Sequence, residues 1–251
     1  FGDYRQGISS HWSAVSKADQ TPAELAAMRR QIQQAAIERE AEQREQWAVN
    51  EKRNVTLWES AQPVKTGDVV HQYLQARGLG DWSIPACIRV HAGLSYWHAD
   101  DNGELHMLGR FPAMLAPIVS GGKLLAIHRT YLGDGCKANV PTTKKLTAAA
   151  GSMQGACIPL AAPRGGVLGI AEGIETAAAA SLGSGLPVVA AYCANAMGRF
   201  FWPQGIERLV IFADNDTAGQ QAAAVLAQRA DKAGLIHKTL TPSKPGSDWA
   251  D

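Results

Sequence analysis

The residues of this chain best suited to chemistry are five carboxylates in its last third. Asp214 and Asp216 stand one residue apart in IFADNDTAGQQAA (211–223), where an apolar run stops and an alanine-rich helix begins. Glu172 follows the apolar run GVLGIA, and Asp248 and Asp251 belong to GSDWAD. Carboxylates brought together repel, and their pKa values rise unless a cation neutralises them. Oxygen ligands with no histidine or cysteine nearby favour a hard ion, so the expected cofactor is Mg²⁺ or Mn²⁺. Glu175, one helical turn after Glu172, is spaced to share a face with it. A simpler role for the pair is structural, with Asp216 capping a helix that opens at Thr217 and Asp214 serving the turn. The arrival of Glu172 and GSDWAD at the same predicted edge favours a metal site, because clustered acids in a cleft are a functional signature.

The elements that must position these acids alternate in type. GVLGIAEG, LPVVAAY and ERLVIFA read as strands, with KTLTP as a fourth, while IETAAAASLG and TAGQQAAAVLAQRADKAG read as helices, the latter closed by Gly234. Near-continuous apolar strands separated by helices indicate a parallel sheet covered on both faces, and such sheets bind ligands at the carboxyl ends of their strands. Residues 64–160 have another texture. HQYLQARGL is a short helix ended by Gly78, and PACIRVHAGLSYW, FPAMLAPIV and KLLAIHRTYL are strands separated by the polar turns ADDNGE, SGG and GDG. The fold class is therefore α/β: a parallel sheet covered by helices, preceded by a smaller antiparallel α+β subdomain and a long N-terminal helix. That helix opens at the capping box TPAE and is mostly Ala, Gln, Glu and Arg, so it reads as a solvated connector. The expected divisions are 1–20, a hairpin remnant of a preceding region; 21–60, the helix; 61–162, a basic α+β subdomain; and 163–251, the parallel-sheet domain. A start without methionine and an end on an acidic motif suit a fragment of a longer protein.

Bulk properties narrow the class. The 251 residues carry a net charge of +1, yet residues 106–160 hold six basic side chains against the single acid Asp134. A basic middle followed by clustered acids suits an anionic substrate whose reacting group also needs a metal. No apolar run reaches membrane-spanning length and the start lacks a signal-peptide layout, so the expected location is cytoplasmic, with no membrane partner. Cys87, Cys136, Cys157 and Cys193 are widely separated, without a CxxC pair, and read as reduced thiols. The absence of GxxxxGK[ST] excludes a P-loop ATPase within this span. DNDT also fits the DxDxT nucleophile motif of haloacid-dehalogenase-type phosphatases, but that motif opens its domain, whereas only 35 residues follow Asp216.

AEGIETAAAA, FADNDTAGQQAA and PGSDWAD, in this order and at this spacing, resemble the three acidic motifs of the Toprim domain shared by bacterial-type primases, topoisomerases and some nucleases. HQYLQARGL followed by IPACIRVHAGL, and LLAIHRTYLGDGCKANVPTTKK, are similar to the primase catalytic core. The resemblance covers roughly residues 64–251 and has the flavour of plasmid- and phage-encoded primases; ANVPTT stands where chromosomal primases carry a longer, tyrosine-containing turn. It implies metal-dependent synthesis of short RNA primers on single-stranded DNA from nucleoside triphosphates. Asp214 and Asp216 would then be the main ligands of Mg²⁺ or Mn²⁺, Glu172 a further ligand or acid/base group, and Asp248 and Asp251 the holders of a second ion, directly or through water. Arg129, Lys137, Lys144 and Lys145, with Arg77, would hold triphosphate or template. The implied partners are the template, the nucleotides, and a helicase or other replication or conjugation protein. Two alternatives stay open: a Toprim nuclease or topoisomerase-like strand-transfer enzyme, and a nucleic-acid-binding module that no longer catalyses.

Overall fold

The computed structural model describes residues 2–3, 8–9 and 21–250. Two units emerge, residues 1–46 and 47–251, with the long helix running through the division. In the first unit, β1 (Gly2–Asp3) pairs antiparallel with β2 (Ile8–Ser9), as the turn-rich start predicts. Helix α1 (Pro22–Ser60) opens with the expected capping box. The Thr21 N–H donates to Glu24 Oε2 at 2.7 Å and the Glu24 N–H to Thr21 Oγ1 at 3.3 Å, which satisfies donors that a helix start leaves free.

Within the second unit, the end of α1 is more than a connector. Its buried residues are Asn50 and Asn54. Asn54 Nδ2 donates to the carbonyls of Leu125 (3.1 Å) and Ala148 (3.0 Å), and Asn50 Nδ2 to that of Ala149 (2.8 Å). Buried amides must be paired, so these contacts fix the helix against the strands beside it. Next come β3 (Gln62–Pro63), α2 (Val69–Ala76), β4 (Arg89–Ala99), β5 (Leu105–Ser120), β6 (Lys123–Tyr131) and β7 (Lys144–Leu146). The strands form one antiparallel sheet in the order β3-β4-β5-β6-β7.

The parallel sheet follows: β8 (Val167–Ala171), α3 (Ile174–Ser184), β9 (Val188–Ala190), α4 (Ala194–Gly198), β10 (Arg208–Phe212), α5 (Thr217–Lys232) and β11 (Ile236–Leu240). Its order is β11-β10-β8-β9, with every pair parallel. Period-two alternation sends successive side chains to opposite faces. Leu168, Ile170, Leu209 and Ile211 pack with Leu226 of α5 and Met197 of α4, whereas Ala171, Val210 and Phe212 pack with α3 and α2. The second core is shared with Met114, Ala116 and Ile118 of β5. The opposite face of the antiparallel sheet, with Tyr96, Leu115, Ile127 and Tyr131, packs on Leu57 and Trp58 of α1. The segment 157–158 ties the two sheets: Cys157 exchanges hydrogen bonds with Val119 next to the end of β5, and Ile158 with Ala190 of β9. The predicted fold class is the one observed.

Candidate active site

Asp214 and Asp216 leave the carboxyl end of β10, the strand paired with β8, which ends just before Glu172. Asp216 is the N-cap of α5, its Oδ1 accepting from the Gly219 N–H at 2.7 Å. Capping and charge thus reside in one residue. Gly219 is required here, because a Cβ would stand 2.7 Å from the Asp214 carbonyl oxygen and 3.1 Å from its nitrogen. The first turn of α5 therefore lies directly on the Asp214 backbone.

The third acidic segment is hung on the second by Asn215. Its N–H donates to the Ser247 carbonyl (2.9 Å), its carbonyl accepts from the Gly246 N–H (2.7 Å), and its Nδ2 donates to the Pro242 carbonyl (2.9 Å). Trp249 adds an indole N–H to the Ala213 carbonyl (3.3 Å) and an edge-to-face contact with Phe212 at 5.5 Å. Asp248 is thereby held beside Asp214, its Oδ1 accepting from the Ala250 N–H at 2.6 Å. Asp251 lies outside the described residues.

The acids feel one another. Burial, then Glu172, Asp248 and Asp216, push the Asp214 carboxyl up to about 7, against the opposing charge of Lys144. Glu172 is raised by burial first and then by Asp216, with the Ala194 N–H and Lys144 pulling the other way. Asp214 Oδ1 is buried and has no hydrogen-bond partner. A buried carboxylate oxygen left unpaired among three further acids fits a divalent cation, which would remove the desolvation cost and the repulsion together. Among the described residues, the group whose ligand atoms lie within 4.8 Å of one another is elsewhere: Asp100, Glu104 and His106, in the β4–β5 turn. There Asp100 Oδ1 accepts from the Asn102 and Glu104 N–H groups, the pattern of an acid shaping its own turn.

Cationic groups approach the acidic edge from the antiparallel sheet. Lys144 Nζ donates to Glu175 Oε2 at 3.0 Å, and the Tyr73 hydroxyl of α2 donates to Glu175 Oε1 at 2.7 Å. Glu175 is only 4% exposed. Burial alone would raise its pKa, but Lys144 and Tyr73 hold it down to about 2. Glu175 therefore does not join Glu172 as a potential ligand; both of its oxygens are engaged. Lys137 feels Lys144, Glu175, Arg77 and Asp248, and its pKa is lowered by desolvation and then by Lys144. Arg77 donates to the Ala250 carbonyl at 3.4 Å, next to the third acidic segment. His128, buried on the Lys144 face, is kept neutral, its pKa lowered to about 4 by burial and then by Lys144.

The five predicted basic residues are thus divided. Lys137, Lys144 and Arg77 are brought to the acids. Register places Lys145 opposite Arg129 and Lys144 opposite Thr130, and paired residues share a face. Arg129 Nη2 is tied to the Leu146 carbonyl at 2.6 Å, and Lys145 lies 4.2 Å from the centre of the Tyr96 ring and donates to the Trp97 carbonyl. Both belong to the α1 side of the sheet, away from Glu175. Sequence reasoning missed Tyr73, His128 and Asn215, although Tyr73 sits in the HQYLQARGL stretch that carried the resemblance.

Residues 167–251 match the Toprim domain family, and residues 48–159 match a domain of unknown function, DUF7146. None of the curated proteins matches the chain. Among solved structures it is similar to a DnaG primase catalytic domain bound to ssDNA, at 16% identity over 84% of this chain and 77% of that one, with a TM-score of 0.54. A DnaG catalytic core (16% identity, 81% and 74%, TM-score 0.51) and a DNA primase domain from Pseudomonas aeruginosa (15%, 80% and 73%, TM-score 0.50) are similar in the same way. The residues that match the Toprim domain family thus lie in a chain whose fold is similar to that of primase catalytic domains. Among the described residues, no helix is long and apolar enough to cross a membrane.

Proposed function

We propose that this chain is the catalytic core of a DNA primase, joining nucleoside triphosphates into short RNA primers on a single-stranded DNA template. The observation that carries the reading is the meeting of Glu172, Asp214, Asp216 and Asp248 at the carboxyl edge of the parallel sheet, with an unpaired buried oxygen on Asp214. Asp214 and Asp216 would be the main ligands of Mg²⁺ or Mn²⁺, Glu172 a further ligand or an acid/base group, and Asp248 and Asp251 the holders of a second ion, directly or through water. When bound, the ion supplies charge neutralisation between the attacking 3′-hydroxyl and the α-phosphate and steadies the departing pyrophosphate.

The chain's own groups do the remainder. Lys144, aimed by Glu175 and Tyr73, presents its ammonium to the acidic edge, where an incoming triphosphate brings negative charge. Lys137 and Arg77 extend the same cationic wall. Arg129 and Lys145, on the opposite face, support the sheet and offer positive charge to the template backbone. Gly219 and Asn215 hold the acid-bearing loops in register.

The test is incubation with single-stranded DNA, labelled ribonucleotides and Mg²⁺ or Mn²⁺. Short oligoribonucleotides are expected, and Asp214→Ala should abolish them while DNA binding persists. Cleavage of the DNA without synthesis would favour a Toprim nuclease, and synthesis that survives Asp214→Ala would overturn the site assignment.

A further inference from the structure

A cavity of about 640 Å³ opens between α4, α5 and the segment 152–154. It adjoins the acidic edge through one turn. Ala191 donates to the Ala171 carbonyl at 2.9 Å, one residue before Glu172, and the Ala194 N–H serves the Glu172 carboxylate. Between them lies Tyr192, the only described non-glycine residue with positive φ (65°). A non-glycine side chain in the left-handed region is strained, and such strain persists where surrounding structure imposes it, commonly at ligand sites. Here the Tyr192 hydroxyl donates to the Met153 carbonyl at 3.3 Å, fixing the ring on the cavity wall.

A second part of the lining is also aromatic and also held. Phe201 is 51% exposed, an unusual state for a ring that is so firmly seated. Gly155 (φ 75°) lies against it, and a Cβ there would stand 2.1 Å from the ring. Arg229, itself part of the lining, packs over Phe201 and Trp202, its guanidinium 5.6 and 5.3 Å from their centres, and donates to the Gly198 and Phe200 carbonyls at 3.0 and 2.8 Å. Arg229 is therefore used up in holding the aromatic segment. Arg199 is not: it is exposed, lines the cavity, and its charge reaches Tyr192. Asn195 and Gln154 add amide donors and acceptors to the lining.

We propose that this cavity is a nucleobase site, in which an unstacked base lies against Phe201 and Tyr192, Arg199 meets the attached phosphate, and Asn195 and Gln154 face the base edge. Rigid aromatic faces beside a free arginine are the means by which proteins hold single bases, since every base has a π-face and each nucleotide carries a negative charge. The site rests on the reading of the acidic edge as one that handles nucleic acid. The base has two possible sources, a single strand passing the acids or a free nucleotide.

The experiment measures fluorescence anisotropy of a fluorescein-labelled oligothymidylate, and competition by uridine monophosphate, in buffer containing EDTA so that no ion contributes. Phe201→Ala and Arg199→Ala should each weaken strand binding roughly ten-fold. Phe201→Leu, which keeps apolar volume but loses the aromatic face, should weaken it similarly while leaving the thermal unfolding curve unchanged. Competition by the mononucleotide, lost in the same variants, would show that the site takes a free nucleotide as well as the strand; its failure to compete would identify the strand alone. Wild-type affinity in the Phe201 and Arg199 variants, or no binding by the wild type, overturns the proposal. Primer synthesis by the wild type in Mg²⁺ is scored separately, so the failure of this site and that of the primase reading are distinct results.

Discussion

Asp214→Asn tests the charge balance of the acidic edge through stability alone. The Asp214 carboxyl has an ordinary value of 3.8 and is pushed up to about 7 by burial and by Glu172, Asp248 and Asp216. The folded chain therefore holds this proton more tightly than the unfolded chain does. Between about pH 4 and pH 7 the native state binds more protons, so stability falls as pH rises through that window, and the full cost is present above it. Three pKa units correspond to about 4 kcal/mol at most. Because the carboxyl is only half-buried, water and salt screen part of this, and about 2 kcal/mol is expected. Asp214→Asn removes the charge at constant size. In EDTA at pH 8 it should melt several degrees above wild type, since each kcal/mol moves the midpoint of a domain this large by about 2–4 °C. At pH 4 the two should nearly coincide. Mg²⁺ should raise the wild-type midpoint and leave the variant much less changed. Equal melting of the two proteins in EDTA at both pH values would refute the reasoning, because it would mean that Asp214 carries no electrostatic penalty for a cation to relieve.

Further outcomes follow from the neighbouring contacts. Glu175→Gln breaks a buried pair and should cost about 2–4 kcal/mol in urea titration, toward the low end because Lys144 can return to water; Tyr73→Phe should cost about 1 kcal/mol. The Glu175 carboxyl is held down to about 2, so its contribution is present above about pH 4.5 and lost as pH falls toward 2; Glu175→Gln should lack that acid-dependent loss. Gly219→Ala drives a methyl group into the Asp214 backbone and should cost about 1–3 kcal/mol while weakening the Mg²⁺-induced rise in melting temperature; an unaltered rise would show that the close approach does not position Asp214.

The acid-bearing edge was legible because its signals are local. An apolar run that stops at a carboxylate gives both the strand and its functional end, and the small residues after Asp216 announce the helix it caps. The antiparallel strands and the capping box at Thr21 were readable for the same reason. What the sequence hid depends on contacts between distant segments. Glu175 resembles another acid on a helix until α2 supplies Tyr73 and β7 supplies Lys144. The end of α1 reads as solvated because its buried residues are asparagines, whose partners are carbonyls 71 to 99 positions away. The side of the sheet each basic residue occupies is likewise a matter of register, which charge counting along the chain does not reveal.

The adjacent lysines of β7 make that last point concrete. Lys144 and Lys145 differ by one position, yet one serves the acidic edge and the other the aromatic side of the sheet, against Tyr96. Their assignment is set by a short ladder: Tyr131 N–H to the Thr143 carbonyl, Thr147 N–H to the Ile127 carbonyl, and Ile127 N–H to Thr147 Oγ1. Insertion or deletion of a single residue in the stretch 132–143 that slid this ladder by one step would exchange the two lysines while leaving composition, charge and strand content almost untouched. Loop length in this region therefore acts as an address for the lysines, and relatives that differ here need to be aligned by strand pairing before either lysine is equated with its counterpart.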